Sequence, residues 1–190
     1  MRQQVLVVGD GAAQTVDFMH RTESGSYRKG DGYTAASRSL NYGRMVFVLP
    51  DEGVTPESLL QRQGFLAELT GDYNAAELVW SVPKFDVKSS TELNGVLQAL
   101  GVTDAFDMAE ADFTPLTDNG AFLSSAMQAA RVKIDEEGVE AAAYTEIVCA
   151  DSAMMEVPPT VEMELDRPFL FVIFDYNNVP LFVGTVNTMA

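Results

Sequence analysis

The sequence predicts an α+β fold dominated by antiparallel strands, with about three peripheral helices. Three observations carry that expectation. Apolar residues fall mostly in short runs or alternate with polar ones, which is the strand period. Two apolar runs, Phe169 to Tyr176 and Pro180 to Val186, flank Asn177-Asn178, a turn pair that reads as a hairpin. Helices are confined to short segments after Thr55, after Ser90 and near Phe122.

The elements follow in order. Val5 to Val8 is a short strand ended by Gly9-Asp10-Gly11. Thr15 to His20 and Tyr33 to Tyr42 read as strands separated by the polar stretch Thr22 to Gly32. Met45 to Leu49 is a buried strand stopped by Pro50-Asp51-Glu52-Gly53, whose residues favour a turn. Pro56 opens a helix capped by Thr55, with Leu59, Leu60, Leu66 and Leu69 on its apolar side. Leu78 to Phe85 is a strand, and Ser90 or Thr91 caps a helix running through Leu100 and ended by Gly101. A third short helix is expected near Phe122 to Met127, then a strand at Val132 to Glu137. Strands resume at Val161 to Leu165. Both hairpin strands are apolar on both faces, which places them in the middle of the packed structure.

Composition narrows the chemistry. The chain has 190 residues, the length of one domain or two small ones; a single domain over 1–190 is expected. It carries 12 Lys and Arg against 28 Asp and Glu, a formal charge of −16 that repels phosphate backbones and anionic lipid. Neither a nucleic-acid nor a membrane partner is expected. The apolar run Phe169 to Phe174 is too short to span a bilayer and is broken by Asp175. Val5 to Val8 is likewise too short for the apolar core of a secretory signal. One cysteine, Cys149, and one histidine, His20, exclude an intrachain disulfide and a Cys/His zinc site, and no metal or cofactor is expected. Val5 to Gly11 imitates a strand followed by a phosphate-binding turn. However, Gln14 stands where the third glycine is needed, and a strand rather than a helix follows.

Between Val132 and Val161 lies a stretch with no core pattern, and long loops in compact domains are usually functional or disordered. Read with period two, Val139, Ala141, Ala143, Thr145, Ile147 and Cys149 form one face, and Glu140, Ala142, Tyr144 and Glu146 the other. The first face suits burial and the second suits water, so the loop has a latent strand pattern with Gly138 at its pivot. Glu136-Glu137-Gly138-Val139-Glu140-Ala141-Ala142-Ala143, continuing through Tyr144 and Thr145, resembles the hinge of the serpin reactive-centre loop. Met163 to Ile173, with Asp166, Arg167, Pro168 and Phe169 at its heart, resembles the serpin C-terminal signature. Val48-Leu49-Pro50-Asp51, Val82-Pro83-Lys84-Phe85, Leu100-Gly101-Val102 and Phe182-Val183-Gly184 are similar to further serpin motifs in the family's order.

The resemblance implies a partial serpin fold with a long exposed reactive-centre loop at about 138–160. It also implies an extracellular inhibitor, not an enzyme, that acts as a suicide substrate for a serine protease. The protease serine attacks the loop, and the hinge side then inserts into a sheet as a new strand. Only the second half of a serpin is resembled, so the family's N-terminal half is an implied partner. Val139 replaces the family's small hydroxyl residue, and Tyr144 replaces an alanine. Counting from Gly138 places the scissile bond at Ser152-Ala153, and counting back from Pro168 moves it later, so Ser152, Ala153, Met154 and Met155 are the candidates. No Lys or Arg lies between Lys133 and Arg167, which excludes a trypsin-like target and points to elastase-, chymotrypsin- or subtilisin-like pockets. The alternative is a truncated or non-inhibitory serpin that is only cleaved.

Overall fold

The computed structural model describes residues 2–7, 12–135 and 158–188. It divides into two compact units, one formed by Met1–Phe85 with Lys133–Ala190 and the other by Asp86–Val132. The first unit is built on an eight-stranded sheet. Its strands are β1 (Arg2–Val7), β2 (Ala13–Gly30), β3 (Tyr33–Leu40), β4 (Gly43–Pro50), β5 (Asn74–Pro83), β8 (Thr160–Glu164), β9 (Phe169–Phe174) and β10 (Pro180–Val186). The order is β10-β9-β4-β3-β2-β5-β8, with β1 paired to β2, and every pairing is antiparallel except β5 with β8. A predominantly antiparallel sheet with few, short helices is the fold class expected from the alternating pattern.

The polar stretch Thr22 to Gly32 departs from expectation. It is not a separator but the second half of β2, paired to β5 on one edge and to β3 on the other. Several of its polar groups find partners within the sheet, so composition misleads there. Ser26 and Ser37 share a hydroxyl hydrogen bond of 2.9 Å, and Glu23 meets Arg21 at 2.8 Å and Arg38 at 3.4 Å. Gly25 leaves room for Leu78, since a Cβ there would stand 2.5 Å from the leucine's Cδ1.

One face of this sheet buries Tyr33, Ala35, Val46, Val48, Leu170, Val172 and Phe174 against Leu59 and Phe65 from two short helices and Leu69, which caps the second. The helices are α1 (Pro56–Leu60) and α2 (Phe65–Glu68). Thr55 caps α1 as expected, in a reciprocal capping box with Ser58. The single helix predicted through Leu69 breaks instead at Gly64, whose left-handed φ of 81° ends one turn and starts the next. On the opposite face an aromatic cluster joins Phe47, Trp80, Phe85, Phe169 and Phe171, with ring centroids 5.5 to 6.3 Å apart.

Tyr33 ties the helices to the sheet. Its buried hydroxyl donates to Glu68 Oε1 at 2.9 Å, and its ring meets Phe65 edge-on at 5.4 Å. Burial, then the Glu68 carboxylate, pushes the Tyr33 phenol up to about 12. A raised folded-state value means the fold favours the protonated phenol. That contribution is complete below about pH 10 and is lost as pH rises through about 12. Stability measured by urea midpoints is expected to fall across that window and to fall less in Tyr33→Phe. Tyr73, also raised by burial, leaves a smaller alkaline loss in the variant. An alkaline loss identical in Tyr33→Phe and the parent would contradict this assignment.

The second unit contains most of β6 (Phe85–Glu92), which pairs with β7 (Met127–Ile134), and the helix α3 (Asn94–Ala99). Three expectations are corrected here. Ser90 and Thr91 lie in β6 and cap nothing; α3 starts after Leu93 without a side-chain cap, although Gly101 does follow it with φ 94°. No helix forms at Phe122 to Met127, where Asn94 accepts from the Ala126 N–H at 2.7 Å and steers the chain into β7. A single 3₁₀ turn over Asp104–Phe106 is the other helical piece described. The strand predicted at Val132 to Glu137 begins earlier, at Met127. The hairpin of β9 and β10 is also less central than expected: β9 is buried, but among the described residues β10 is an edge strand, exposed along Pro180 to Val183.

Candidate functional site

The segment with the latent strand pattern is bracketed by two strands. On the incoming side β7 pairs with β6, and Arg131 reaches Asp86 through two hydrogen bonds of 2.7 Å. This exposed pair raises the arginine further, the hydrogen bonds to the carboxylate being the main cause. On the outgoing side Glu77 N–H donates to the Pro159 carbonyl at 3.0 Å, and Leu165 N–H donates to the Ser81 carbonyl at 2.9 Å. Between those two bonds β8 runs parallel to β5, with Trp80 opposite Met163. Met163 and Leu165 are buried, whereas Glu162 and Glu164 face water. Alternation in this short strand therefore anchors one end of the segment to the core.

The four signature residues Asp166 to Phe169, which come after Leu165, close the anchor. Asp166 and Arg167 pair with each other at 3.1 Å, and Arg167 Nε donates to the Pro50 carbonyl at 3.2 Å, tying the end of β4 to the turn before β9. Pro168 cannot donate a ladder hydrogen bond and lies just before the strand begins. Phe169 is fully buried and sits 6.3 Å from Phe47 and 5.8 Å from Phe85 between ring centroids. These residues hold the sheet together, and their chemistry offers an ion pair and a hydrophobic anchor rather than a nucleophile. Sequence reading missed Arg44, whose guanidinium lies over Tyr73 and Phe174 at 5.4 and 5.2 Å and donates to Asn178 Oδ1 at 2.9 Å. The one signal was an arginine opening an otherwise apolar strand.

The family model described as serpin, serine protease inhibitor, matches residues 1–189. The chain belongs to the serpin family. Alpha-1-antiproteinase 2 of Equus caballus is 31% identical over 191 residues, covering 97% of this serpin chain and 44% of the horse protein. Serpin B11 of Mus musculus is 34% identical over 147 residues, covering 74% of this chain and 37% of that protein. The native-state structure of Tengpin, a thermophilic serpin, matches with a TM-score of 0.74 and 28% identity over 99% of this chain and 50% of its own. This serpin chain thus spans less than half the length of those two relatives and half of that solved structure, corresponding to the C-terminal half. Serpins are in general serine protease inhibitors.

Against that family background, the predicted site residues divide in two. Asp166, Arg167, Pro168 and Phe169 are described and come together as the anchor above. The hinge residues Glu136, Glu137, Gly138, Val139, Glu140, Ala141, Ala142, Ala143, Tyr144 and Thr145 lie outside the described residues, as do Ser152, Ala153, Met154 and Met155. Among the described residues β7 pairs with β6 alone, and no second strand flanks it.

Proposed function

We propose that this chain carries the reactive-centre loop of an extracellular serpin-type inhibitor whose targets are serine proteases other than trypsin-like ones. The observation that carries the reading is the family match over residues 1–189, with strands on both sides of the hinge sequence. The loop is offered as substrate, and attack within Ser152 to Met155 gives an acyl-enzyme. The face bearing Val139, Ala141 and Ala143 then enters a sheet before the ester is hydrolysed. The lack of any basic residue between Lys133 and Arg167 leaves the buried carboxylate of a trypsin-like pocket unpaired, a costly arrangement.

A second reading is that the 190 residues alone are cleaved without inhibiting. It is favoured because an inserted strand needs a partner on each side, and the described residues supply none beyond the β6–β7 pair. Incubation with pancreatic elastase tests both. The chain alone is expected to be cut first between about Ala143 and Pro159, exposed loop tips being the preferred sites of nicking. No complex resistant to boiling in detergent should form, and Ala143→Glu should change nothing. With the rest of the fold supplied, a detergent-stable complex should appear and be lost in Ala143→Glu, because that charge must be buried on insertion. First cuts within Thr22 to Gly32 would overturn the loop assignment. A detergent-stable complex from the 190 residues alone would overturn the second reading.

A further inference from the structure

The sequence holds two Asn-Gly pairs, Asn94-Gly95 and Asn119-Gly120, and both lie in the second unit. A glycine after an asparagine has no side chain to shield its nitrogen and gives the backbone wide conformational freedom. That nitrogen can then attack the asparagine Cγ, provided the backbone turns it toward Cγ and the side-chain amide is free to rotate. Space does not separate the two pairs, because a Cβ added at Gly95 or at Gly120 would meet nothing within 4 Å. Their backbones and amide contacts do.

Asn94 opens α3 and uses both ends of its amide. Its Oδ1 accepts from the Ala126 N–H at 2.7 Å, and its Nδ2 donates to the Ser124 carbonyl at 3.4 Å. A helical ψ of about −42° also holds the following nitrogen away from Cγ. Asn119 is exposed and lies between the 3₁₀ turn and β7, where neither helix nor strand is described. Its own N–H donates to Thr117 Oγ1 at 3.3 Å, which fixes only the upstream side. Among the described residues its side-chain amide has no hydrogen-bond partner, and the Gly120 N–H has no acceptor. We propose that Asn119-Gly120 is a site of spontaneous deamidation and isomerisation, from which Asn94-Gly95 is protected by the fold.

The Gly120 nitrogen forms a bond to Asn119 Cγ, and the side-chain nitrogen leaves as ammonia with the Gly120 proton. Water then opens the resulting five-membered imide. Opening at Cγ gives aspartate, and opening at the backbone carbonyl gives isoaspartate; either way the Gly120 nitrogen regains its proton from the water. One water is consumed and one ammonia released, so no co-reactant is required. Both products place a new carboxylate beside Asp118, and isoaspartate also lengthens the main chain leading into β7 by a methylene. The inference is independent of inhibition.

The test incubates the 190-residue chain in mildly alkaline buffer and then cuts it after glutamate. This places Asn94 in the peptide Leu93 to Glu110 and Asn119 in Ala111 to Glu136. Mass spectrometry reads the conversion of each, and isoaspartyl methyltransferase labels the isomer. Asn119 is expected to convert at least about tenfold faster than Asn94, and Gly120→Ala to slow it about tenfold. In urea the difference should disappear. Asn119→Asp should leave the urea midpoint unchanged, whereas Asn94→Asp should lower it, since the donor to Ser124 is lost. Equal rates in the folded chain, an Asn119 that reacts only in urea, or a difference that persists in urea would each overturn the proposal.

Discussion

Phe169→Ala is expected to lower stability by about 4 kcal/mol, the range for emptying a buried phenylalanine site. Phe169 starts β9, opposite Val186 of β10, and its ring lies between Phe47 and Phe85. The fully buried ring leaves no route for solvent to fill the space. The surrounding rings belong to β4, to the start of β6 and to β9 itself, so collapse around the cavity would have to move paired strands. Domains of this kind are typically stable by about 5–15 kcal/mol, so the variant would lose a large share of its margin. Urea midpoints should show the shift, with Phe169→Leu recovering more than half of it. A loss under about 1 kcal/mol would mean that Phe169 is not a keystone of the anchor.

Gly43→Ala should cost at least about 3 kcal/mol, for a different reason. Gly43 opens β4 with φ 143°, and a Cβ there would lie 2.0 Å from the Phe174 carbonyl oxygen. That neighbour is backbone, in the strand paired with β4, so no side chain can swing away to relieve the contact. Strained φ and collision act together. Gly53 supplies the control: its φ is 82°, but an added Cβ would meet nothing within 4 Å, so Gly53→Ala should cost only about 1–2 kcal/mol. Equal effects at the two glycines would show that conformation alone, and not the approach of β9, decides the outcome.

Much of this architecture was legible in the residues, and the misses share a cause. Met45 to Leu49 and Phe169 to Phe174 are apolar on both faces and became the buried strands β4 and β9. Thr55 with Pro56 marked a helix start that the capping box realises. Thr22 to Gly32 was opaque because several of its polar groups meet residues elsewhere in the sequence, such as Ser37, Arg38 and Glu68. Local composition carries no trace of such partners. The hairpin turn was placed correctly but is longer than two residues: Asp175 accepts from the N–H groups of Asn177 and Val179, and Asn178 adopts φ 61°. Of the candidate site, the signature residues were legible as a motif, yet their packing role emerges only from the rings around Phe169.

The pairing of β4 with β9 joins Met45 to Ile173, more than a hundred residues downstream. A ribosome needs roughly ten seconds to make the intervening chain. During that interval Met45-Val46-Phe47-Val48-Leu49 has one edge bare, and this run combines high β-propensity with no charge. The hazard of this topology therefore falls in biosynthesis. A nascent chain stalled before Phe169 exposes an aggregation template that the finished sheet conceals, and the yield of folded protein depends on how quickly the last strands follow the first.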